Sequence, residues 1–360
     1  MSAPLAPASV SELIEVVRSC PRLLAFGAGT KSRLSAVDAT KVSISRLRGI
    51  VEYEPSEFTF TAMAGTPIRD LTNTLAARGQ YLPFDPLLGN AGATLGGTVA
   101  SGLSGPGRLR FGGLRDFILA VQFVDGLARP MRVGCKVVKN AAGFDLPKFF
   151  VGSLGRFGVL TELTFKVFPA APSSLTLKLP VKDIEAAARI LVEAASARWE
   201  TQAVEVLPGA CDVCLHLAGP EQAMHEIAGD VFKRWPGEEL SAAAAQKLWS
   251  ELRELHWAYA NGPLIKIALS PATLPGLFHA LQSLEGIRIH VSSGGNMAFV
   301  SLPASDQAAA LSELLRNLSL SAVTLRGEAP LWCGIQPRPK IAQAVKQALD
   351  PQDRFPGLDE

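Results

Sequence analysis

The sequence lacks several features that would each assign it to a class of protein. No apolar run reaches the ~18 residues that are needed to cross a bilayer. No Lys/Arg run and no alternation of basic with aromatic residues occurs, and the formal net charge is only +2, which argues against nucleic-acid binding. The first ten residues have neither a basic segment nor a long apolar core, so no signal peptide is predicted.

Cysteine is also scarce. The five cysteines are an odd number and lie far apart, which favours a reducing cytoplasm over a disulfide framework. Cys211 and Cys214 have Cys-x-x-Cys spacing, but a zinc site or an iron–sulfur cluster needs about four ligands, and the other three cysteines are isolated. If Val213 lies in a strand, the two side chains point to opposite faces. We therefore predict no metal site.

The length and composition predict two domains with sizeable cores. The chain has 360 residues, of which 48% are apolar and 19% are charged. The best candidate for a boundary is the segment rich in Pro, Ala and Ser over residues 169–174. We expect residues 1–170 to form a first domain, residues 171–337 to form a second, and residues 338–360 to form a helix and tail that return to the first.

Hydrophobic periodicity predicts an α+β protein. A capping box formed by Ser9 and Glu12 opens a helix, and a buried strand over residues 23–26 follows it. Further strands over residues 118–123 and 159–167 belong to the same domain, which we expect to contain two small α+β lobes. Beyond residue 175 strands alternate with helices, which predicts an antiparallel sheet covered on one side by helices.

A glycine-rich stretch between Gly89 and Gly113 is the strongest functional signal. It contains nine glycines in 25 residues, and the only charged residues between Pro86 and Leu114 are Arg108 and Arg110. Glycine lets a ligand approach the backbone closely, and successive N–H groups in such loops bind anions. The stretch therefore predicts a large phosphate-bearing cofactor, with a set of surface turns as the alternative.

A second glycine loop, residues 27–31, follows the strand over residues 23–26. It is not a dinucleotide fingerprint, because Ser32 stands where a third glycine would open a helix. It is not a P-loop either, because Thr30 stands where glycine would precede the lysine. What remains suits a pyrophosphate held without a helix dipole, or equally a plain β-turn.

Several single residues are open to two interpretations. Arg110 and Arg326 are candidates for binding a substrate carboxylate or for surface ion pairs. His290 is either a base or a partly buried structural histidine. Lys139 and Asn140 precede a glycine in the cofactor domain, and they either contact the cofactor or form part of a capped loop.

Five short motifs together resemble the FAD-binding proteins of the PCMH type, which are also called vanillyl-alcohol-oxidase-like. Four of them lie within residues 20–170, and the last is the C-terminal segment. They are residues 26–31 (FGAGTK); Asp85 and Pro86 with residues 93–97 (ATLGG) and 105–112 (GPGRLRFG); residues 139–148 (KNAAGFDLPK); residues 152–159 (GSLGRFGV); and residues 349–357 (LDPQDRFPG).

The resemblance implies a fold and a set of cofactor contacts. The fold is α+β, with a two-lobed FAD-binding PCMH-type domain followed by an antiparallel-sheet α+β cap domain. FAD is expected to be non-covalent, because the first loop lacks the histidine through which some relatives attach it. The implied FAD-binding residues are Gly27, Ala28, Gly29, Thr30, Lys31, Pro86, Ala93, Thr94, Gly96, Gly97, Ala100, Ser101, Gly105, Gly112, Lys139, Asn140, Gly155, Gly158 and Val159.

Within the family the chain resembles the FAD-binding subunits of bacterial glycolate oxidase. Catalytic relatives carry a motif of the form His-x-Gly-Asp-Gly-Asn-x-His, whereas residues 290–297 here (HVSSGGNM) lack the Asp and the second His. The resemblance therefore implies a subunit that takes part in glycolate oxidation to glyoxylate, beside a second FAD-containing subunit and an iron–sulfur subunit that receives the electrons. No catalytic residue is assigned.

Two alternatives stay open at this point. One is a stand-alone FAD-dependent dehydrogenase of a small 2-hydroxy acid, and the other is a non-catalytic structural flavin subunit. The resemblance also implies a cytoplasmic location, either free or peripheral at the inner membrane through the partner subunits.

Overall fold

The computed structural model describes residues 3–135, 145–336 and 340–360. The chain divides into two compact units. The first unit comprises Met1–Ser104, Gly113–Ala170 and Arg338–Glu360, and the second comprises Gly105–Gly112 and Ala171–Pro337. The short segment Gly105–Gly112 thus interrupts the first unit and packs with the second. In the described part of the chain no helix is long and apolar enough to span a membrane.

The α-helices of the described residues are numbered in chain order. They are α1 Val10–Ser19, α2 Ile68–Ala76, α3 Leu95–Ser101, α4 Arg108–Phe111, α5 Leu114–Phe117, α6 Leu146–Phe149, α7 Ile184–Ser196, α8 Glu221–Arg234, α9 Ala242–Glu254, α10 Leu274–Leu281, α11 Ala308–Asn317 and α12 Lys340–Leu349.

The strands are numbered in the same way. They are β1 Leu23–Phe26, β2 Thr40–Ser43, β3 Ile50–Glu54, β4 Thr59–Met63, β5 Gln80–Tyr81, β6 Ile118–Val124, β7 Pro130–Gly134, β8 Val159–Lys166, β9 Phe168–Pro169, β10 Ser173–Leu179, β11 Ala203–Val206, β12 Val213–Gly219, β13 Glu238–Glu239, β14 Leu264–Ala268, β15 Arg288–Ser292, β16 Met297–Ser301, β17 Ser321–Arg326 and β18 Trp332–Gly334.

The first unit contains two lobes, as the sequence predicted. In one lobe β1 pairs with β2 in parallel. Its helix α1 begins where Ser9 Oγ accepts from the N–H of Glu12, and it ends at Ser19 with Cys20 as its C-cap. In the other lobe the described strands form an antiparallel sheet in the order β3-β4-β8-β6-β7. In the core of this lobe the ring centroid of Phe165 lies 5.9 Å from that of Phe60 and 5.5 Å from that of Phe84.

The second unit contains an antiparallel sheet in which nine described strands are ordered β13-β10-β12-β11-β15-β16-β14-β17-β18. One face packs against α7, α8, α10 and α11 around a large apolar core. The prediction that helices cover one side only is wrong for α9. Trp249 of α9 donates to Thr176 Oγ1 at 2.9 Å, and Thr176 points away from the face that its neighbours Leu175 and Leu177 present to the main core.

Candidate functional site

A groove in the first unit brings together three segments that are far apart in the sequence. They are the end of β1 with the loop that follows it, the first turns of α3, and a tight turn before β8. The residues lining the groove are Ala25, Phe26, Gly27, Ala28, Gly29, Thr30, Lys31, Leu34, Ser35, Thr94, Gly97, Ala100, Ser101, Leu154 and Gly155.

The first wall of the groove is the glycine loop of residues 27–31. Glycine is needed at positions 27 and 29 for two different reasons. A Cβ on Gly27 would lie 2.1 Å from Thr94 Oγ1, so only glycine lets the loop approach α3 this closely. Gly29 has φ +70°, and a Cβ there would meet no protein atom within 4 Å. The space beside Gly29 is therefore open, and a ligand can come against the backbone at this point.

The second wall is α3, which the sequence did not predict. The sequence analysis treated the glycine-rich stretch between Gly89 and Gly113 as loops, and Gly96 and Gly97 are poor helix formers. The helix forms because Thr94 accepts from the N–H of Gly97 at 3.2 Å, and because Gly96 packs against Ala64 in the turn after β4. A Cβ on Gly96 would lie 2.8 Å from that of Ala64, so here glycine serves packing. The first turn of α3 thus lies beside the loop of residues 27–31, for which the sequence predicted a pyrophosphate held without a helix dipole.

Among the described residues that line the groove, Lys31 is the only charged one. Its ammonium group donates to Thr30 Oγ1 at 3.1 Å, and burial lowers its pKa to about 8. The lining contains no acidic residue. An anion in the groove would favour the charged form of this lysine, so the electrostatics of the site suit a phosphate-bearing ligand.

The third wall is the turn at Leu154 and Gly155. Both residues have left-handed backbone angles, with φ of 52° and 74°. The turn is tied to α3, because the N–H of Leu154 donates to Ala100 O at 2.8 Å and that of Gly152 donates to Val99 O at 2.9 Å. These two bonds fix the distance between the second and third walls.

The structure places the sequence-predicted residues in three groups. Gly27, Ala28, Gly29, Thr30, Lys31, Thr94, Gly97, Ala100, Ser101 and Gly155 line the groove, whereas Pro86, Ala93, Gly96, Gly158 and Val159 lie in the first unit outside its lining. Gly105 and Gly112 belong to the segment that packs with the second unit. Lys139 and Asn140 lie outside the described residues.

Sequence reasoning missed five lining residues. They are Ala25, Phe26, Leu34, Ser35 and Leu154. Ala25 and Phe26 end β1, and Leu34 and Ser35 lie in a short 3-10 turn over Ser32–Ser35. Phe26 and Leu154 lie within motifs that carry the family resemblance, whereas for Ala25, Leu34 and Ser35 only the position in the fold assigns them to the groove.

The single-residue candidates of the second unit have protein partners. Arg110 forms an exposed ion pair with Glu200 at 3.0 Å. Arg326 is partly buried and donates to the main-chain oxygen of Tyr259 at 2.9 Å. Cys211 is partly exposed, whereas burial raises the pKa of the Cys214 thiol to about 12. Across residues 3–135, 145–336 and 340–360, no group of three His, Cys, Asp or Glu side chains could hold a metal ion.

Comparisons with known proteins agree with this geometry. A family model described as an FAD binding domain matches residues 2–134. A solved structure of alkyldihydroxyacetonephosphate synthase superposes with a TM-score of 0.71 at 15% identity, covering 98% of this chain and 77% of the other. That similarity concerns the fold, and it confirms the predicted α+β class and the PCMH-type architecture.

Two curated relatives are closer in sequence. Glycolate oxidase subunit GlcD of Bacillus subtilis is 26% identical over 210 residues, which are 56% of this chain and 44% of that protein. Glycolate oxidase subunit GlcE of Escherichia coli is 34% identical over 317 residues, which are 84% of this chain and 82% of that protein. Because this identity extends over most of both proteins, the chain belongs to the family of the glycolate oxidase subunit GlcE, within the FAD-binding oxidoreductases.

Proposed function

We propose that this chain is the FAD-binding subunit of a glycolate-oxidising complex and that it holds FAD non-covalently in the groove of the first unit. The observation that carries the proposal is the groove itself. Its lining combines a glycine backbone that is open to a ligand at Gly29, no acidic side chain, and Lys31 with a pKa lowered to about 8. This combination fits the diphosphate of FAD.

The residues of the groove would hold FAD in the following way. The loop of residues 27–30 and the first turn of α3 would carry the diphosphate, and Lys31 would neutralise part of its charge. When bound, FAD supplies the chemistry of accepting a hydride from a 2-hydroxy acid. The backbone contacts orient the cofactor, and the residues that touch it carry no acid that would repel the phosphates.

Two features support non-covalent binding. The first histidine of the chain is His216, which belongs to the second unit, so none of the five histidines lies in the first unit. The groove lining also contains no cysteine. A histidine or cysteine beside the flavin is the usual nucleophile for a covalent bond to it, and the groove offers neither.

We further propose a division of labour between the two units. Residues 1–170, completed by residues 338–360, would form the FAD-binding domain, and residues 171–337 would form the domain on the substrate side. The second domain lacks the Asp and the second His of the His-rich motif that catalytic relatives carry. Orienting a carboxylate and taking a proton requires several positioned groups, so catalysis by the complex would depend on a second FAD-containing subunit.

The partners follow from the same proposal. Electrons from glycolate oxidation would leave through an iron–sulfur subunit, because the five cysteines here do not form a cluster motif. The second FAD-containing subunit would be of the same family as this chain. The complex would sit in the cytoplasm, or peripherally at the inner membrane through its partners.

The test is to purify this chain alone and together with its co-expressed partner subunits. The lone chain should be yellow, acid should release the flavin into the supernatant, and glycolate should not reduce an artificial acceptor. The co-purified set should turn over glycolate and contain iron. Flavin that remains in the acid pellet would contradict non-covalent binding. Full turnover by the lone chain would instead identify a stand-alone dehydrogenase.

A further inference from the structure

Arg156 is an almost fully buried arginine directly behind the third wall of the groove. Its side chain is 1% exposed, although it follows Leu154 and Gly155, which line the groove. One terminal nitrogen of the guanidinium donates to the main-chain oxygen of Leu154 at 2.7 Å, and the other donates to the main-chain oxygen of Glu360. The guanidinium therefore joins the groove wall to the C-terminal segment of the described chain.

The turn that Arg156 holds is strained. Leu154 has φ 52°, a left-handed conformation that a side chain with a Cβ adopts at an energetic cost, and Gly155 continues it at φ 74°. Such a conformation persists only when surrounding contacts fix it. The bond from Arg156 to the Leu154 carbonyl, together with the bond from Leu154 N–H to Ala100, supplies those contacts.

A separate set of contacts fixes the C-terminal segment to α1 and β1. Asp350 is 1% exposed and accepts from the N–H of Arg354, the N–H of Phe355 and the ammonium of Lys346. Arg354 in turn donates to three carbonyls at the end of α1, and its own carbonyl accepts from the N–H of Leu23 in β1. The tail thus runs beside the strand whose end lines the groove.

The charges around Arg156 make its bond to the tail important. Burial, together with the positive charges of Arg33 and Arg22, lowers the pKa of Arg156 to about 10, although the negative charge of Glu360 opposes this shift. The Nε atom has no hydrogen-bond partner among the described residues. A buried charge with unsatisfied donors is costly, so loss of the Glu360 contact would leave the guanidinium still less satisfied.

We propose that Arg156 is a positioning residue of the FAD groove and that it couples docking of the C-terminal tail to FAD binding. The inference rests on the proposed FAD site. Undocking of the tail removes an acceptor from Arg156, and the turn that forms the third wall relaxes. Occupancy of the groove holds that turn in place, so FAD stabilises the docked tail by the same free energy with which the docked tail stabilises FAD.

The experiment measures the docking of the tail directly. Trypsin cleaves after Arg354, whose guanidinium is bound to α1 in the docked state, and mass spectrometry detects the released peptide 355–360. Cleavage is followed in the wild-type apoprotein as FAD is added, and the FAD dissociation constant is measured separately by flavin fluorescence. We expect FAD to slow the release of this peptide about 10-fold or more. The coupling depends on one hydrogen bond to a charged group, and a bond of this kind changes an equilibrium by about this factor.

Two variants and one control assign the effect to Arg156. Arg156→Met should raise the FAD dissociation constant about 10-fold to 100-fold and abolish FAD-dependent protection, and Arg156→Lys should restore part of both. Arg46→Met is the control, because Arg46 is exposed, donates to the main-chain oxygen of Ala6 at 3.1 Å and is not among the residues that line the groove. It should keep wild-type FAD affinity and protection.

The outcomes separate this inference from the function on which it rests. If the wild-type chain does not bind FAD, the proposed function fails and the inference fails with it. If the wild-type chain binds FAD but the ligand leaves cleavage after Arg354 unchanged, the coupling is refuted whatever the variants do. Equal FAD affinity in a folded Arg156→Met variant would refute the positioning role.

Discussion

Glu205 Oε2 lies 2.8 Å from His290 Nε2 inside the second unit, where the exposed fractions of the two side chains are 0% and 2%. The other carboxylate oxygen of Glu205 accepts from the N–H of Ser293 at 2.8 Å. Ser293 begins a turn of three successive left-handed residues, with φ of 56°, 64° and 87° at Ser293, Gly294 and Gly295. His290 is thus buried beside Glu205, and Glu205 ties it to this strained turn.

We predict that Glu205→Gln will strongly destabilise the second unit. The substitution replaces the carboxylate beside His290 with an amide and weakens the bond that holds Ser293, and losing a hydrogen bond to a charged group costs about 1.5–3 kcal/mol. Urea unfolding followed by tryptophan fluorescence measures the change. Glu193→Gln is the matched control, because Glu193 is exposed and its pairing with Arg234 is long, at 3.8 Å. A loss below ~1 kcal/mol would mean that the turn is held by other contacts.

The open space beside Gly29 gives a test of the groove. Gly29→Ala and Gly79→Ala place a Cβ at φ of +70° and +63°, and neither Cβ meets a protein atom within 4 Å. The two substitutions should therefore lower stability equally, by about 1 kcal/mol. Only Gly29 lines the groove, so only Gly29→Ala should weaken FAD binding, about tenfold or more. Equal FAD affinities in the two variants would show that the cofactor lies elsewhere.

The affinity for FAD should depend on pH through Lys31. Its pKa in the ligand-free groove is about 8, and the anionic diphosphate would raise it. Below pH 8 the lysine is already charged, so affinity is highest there. Above pH 8 binding requires uptake of a proton, and affinity should fall by up to ~10-fold per pH unit until the bound-state pKa is reached.

The measurement for Lys31 is calorimetry between pH 7 and 9 in buffers of different ionisation enthalpy, which counts the protons taken up. Lys31→Arg keeps its charge over this range, so it should bind FAD with no dependence on pH. Proton uptake that persists in the arginine variant would assign the linkage to another group.

Acid should destabilise the second unit through His216. Burial lowers the pKa of His216 from 6.5 to about 4, and its Nδ1 lies 3.0 Å from Thr176 Oγ1. Between pH 6.5 and 4 the unfolded chain binds a proton that the folded chain does not, so stability is full above pH 6.5 and falls towards pH 4. The loss is at most roughly 3 kcal/mol.

The variant His216→Gln should remove this loss while other acid effects remain. Urea midpoints at several pH values, compared between the variant and the wild type, isolate the contribution of His216. His225→Gln removes a histidine whose side chain is 54% exposed, and it should leave the pH profile unchanged. Parallel profiles for His216→Gln and the wild type would contradict the prediction.

Local interactions made part of this protein predictable from its sequence. Ser9 and Glu12 open α1, the apolar run Leu23–Phe26 forms β1, and alternating segments form antiparallel strands, because capping and hydrophobic periodicity act over a few residues. The Gly27–Lys31 loop could be recognised for a similar reason, since glycine density and the absence of acid are visible without a structure.

Tertiary structure decided the rest, because contacts across the chain override local preference. Gly96 and Gly97 disfavour a helix. Nevertheless α3 forms, because only glycine at position 96 fits against Ala64 and because Thr94 caps the first turn. The side of the large sheet on which α9 packs depends on the contact between Trp249 and Thr176, which are 73 residues apart. The burial of Arg156 against Leu154 and Glu360 could not be predicted from the sequence, because arginine is usually exposed and only the fold encloses this one.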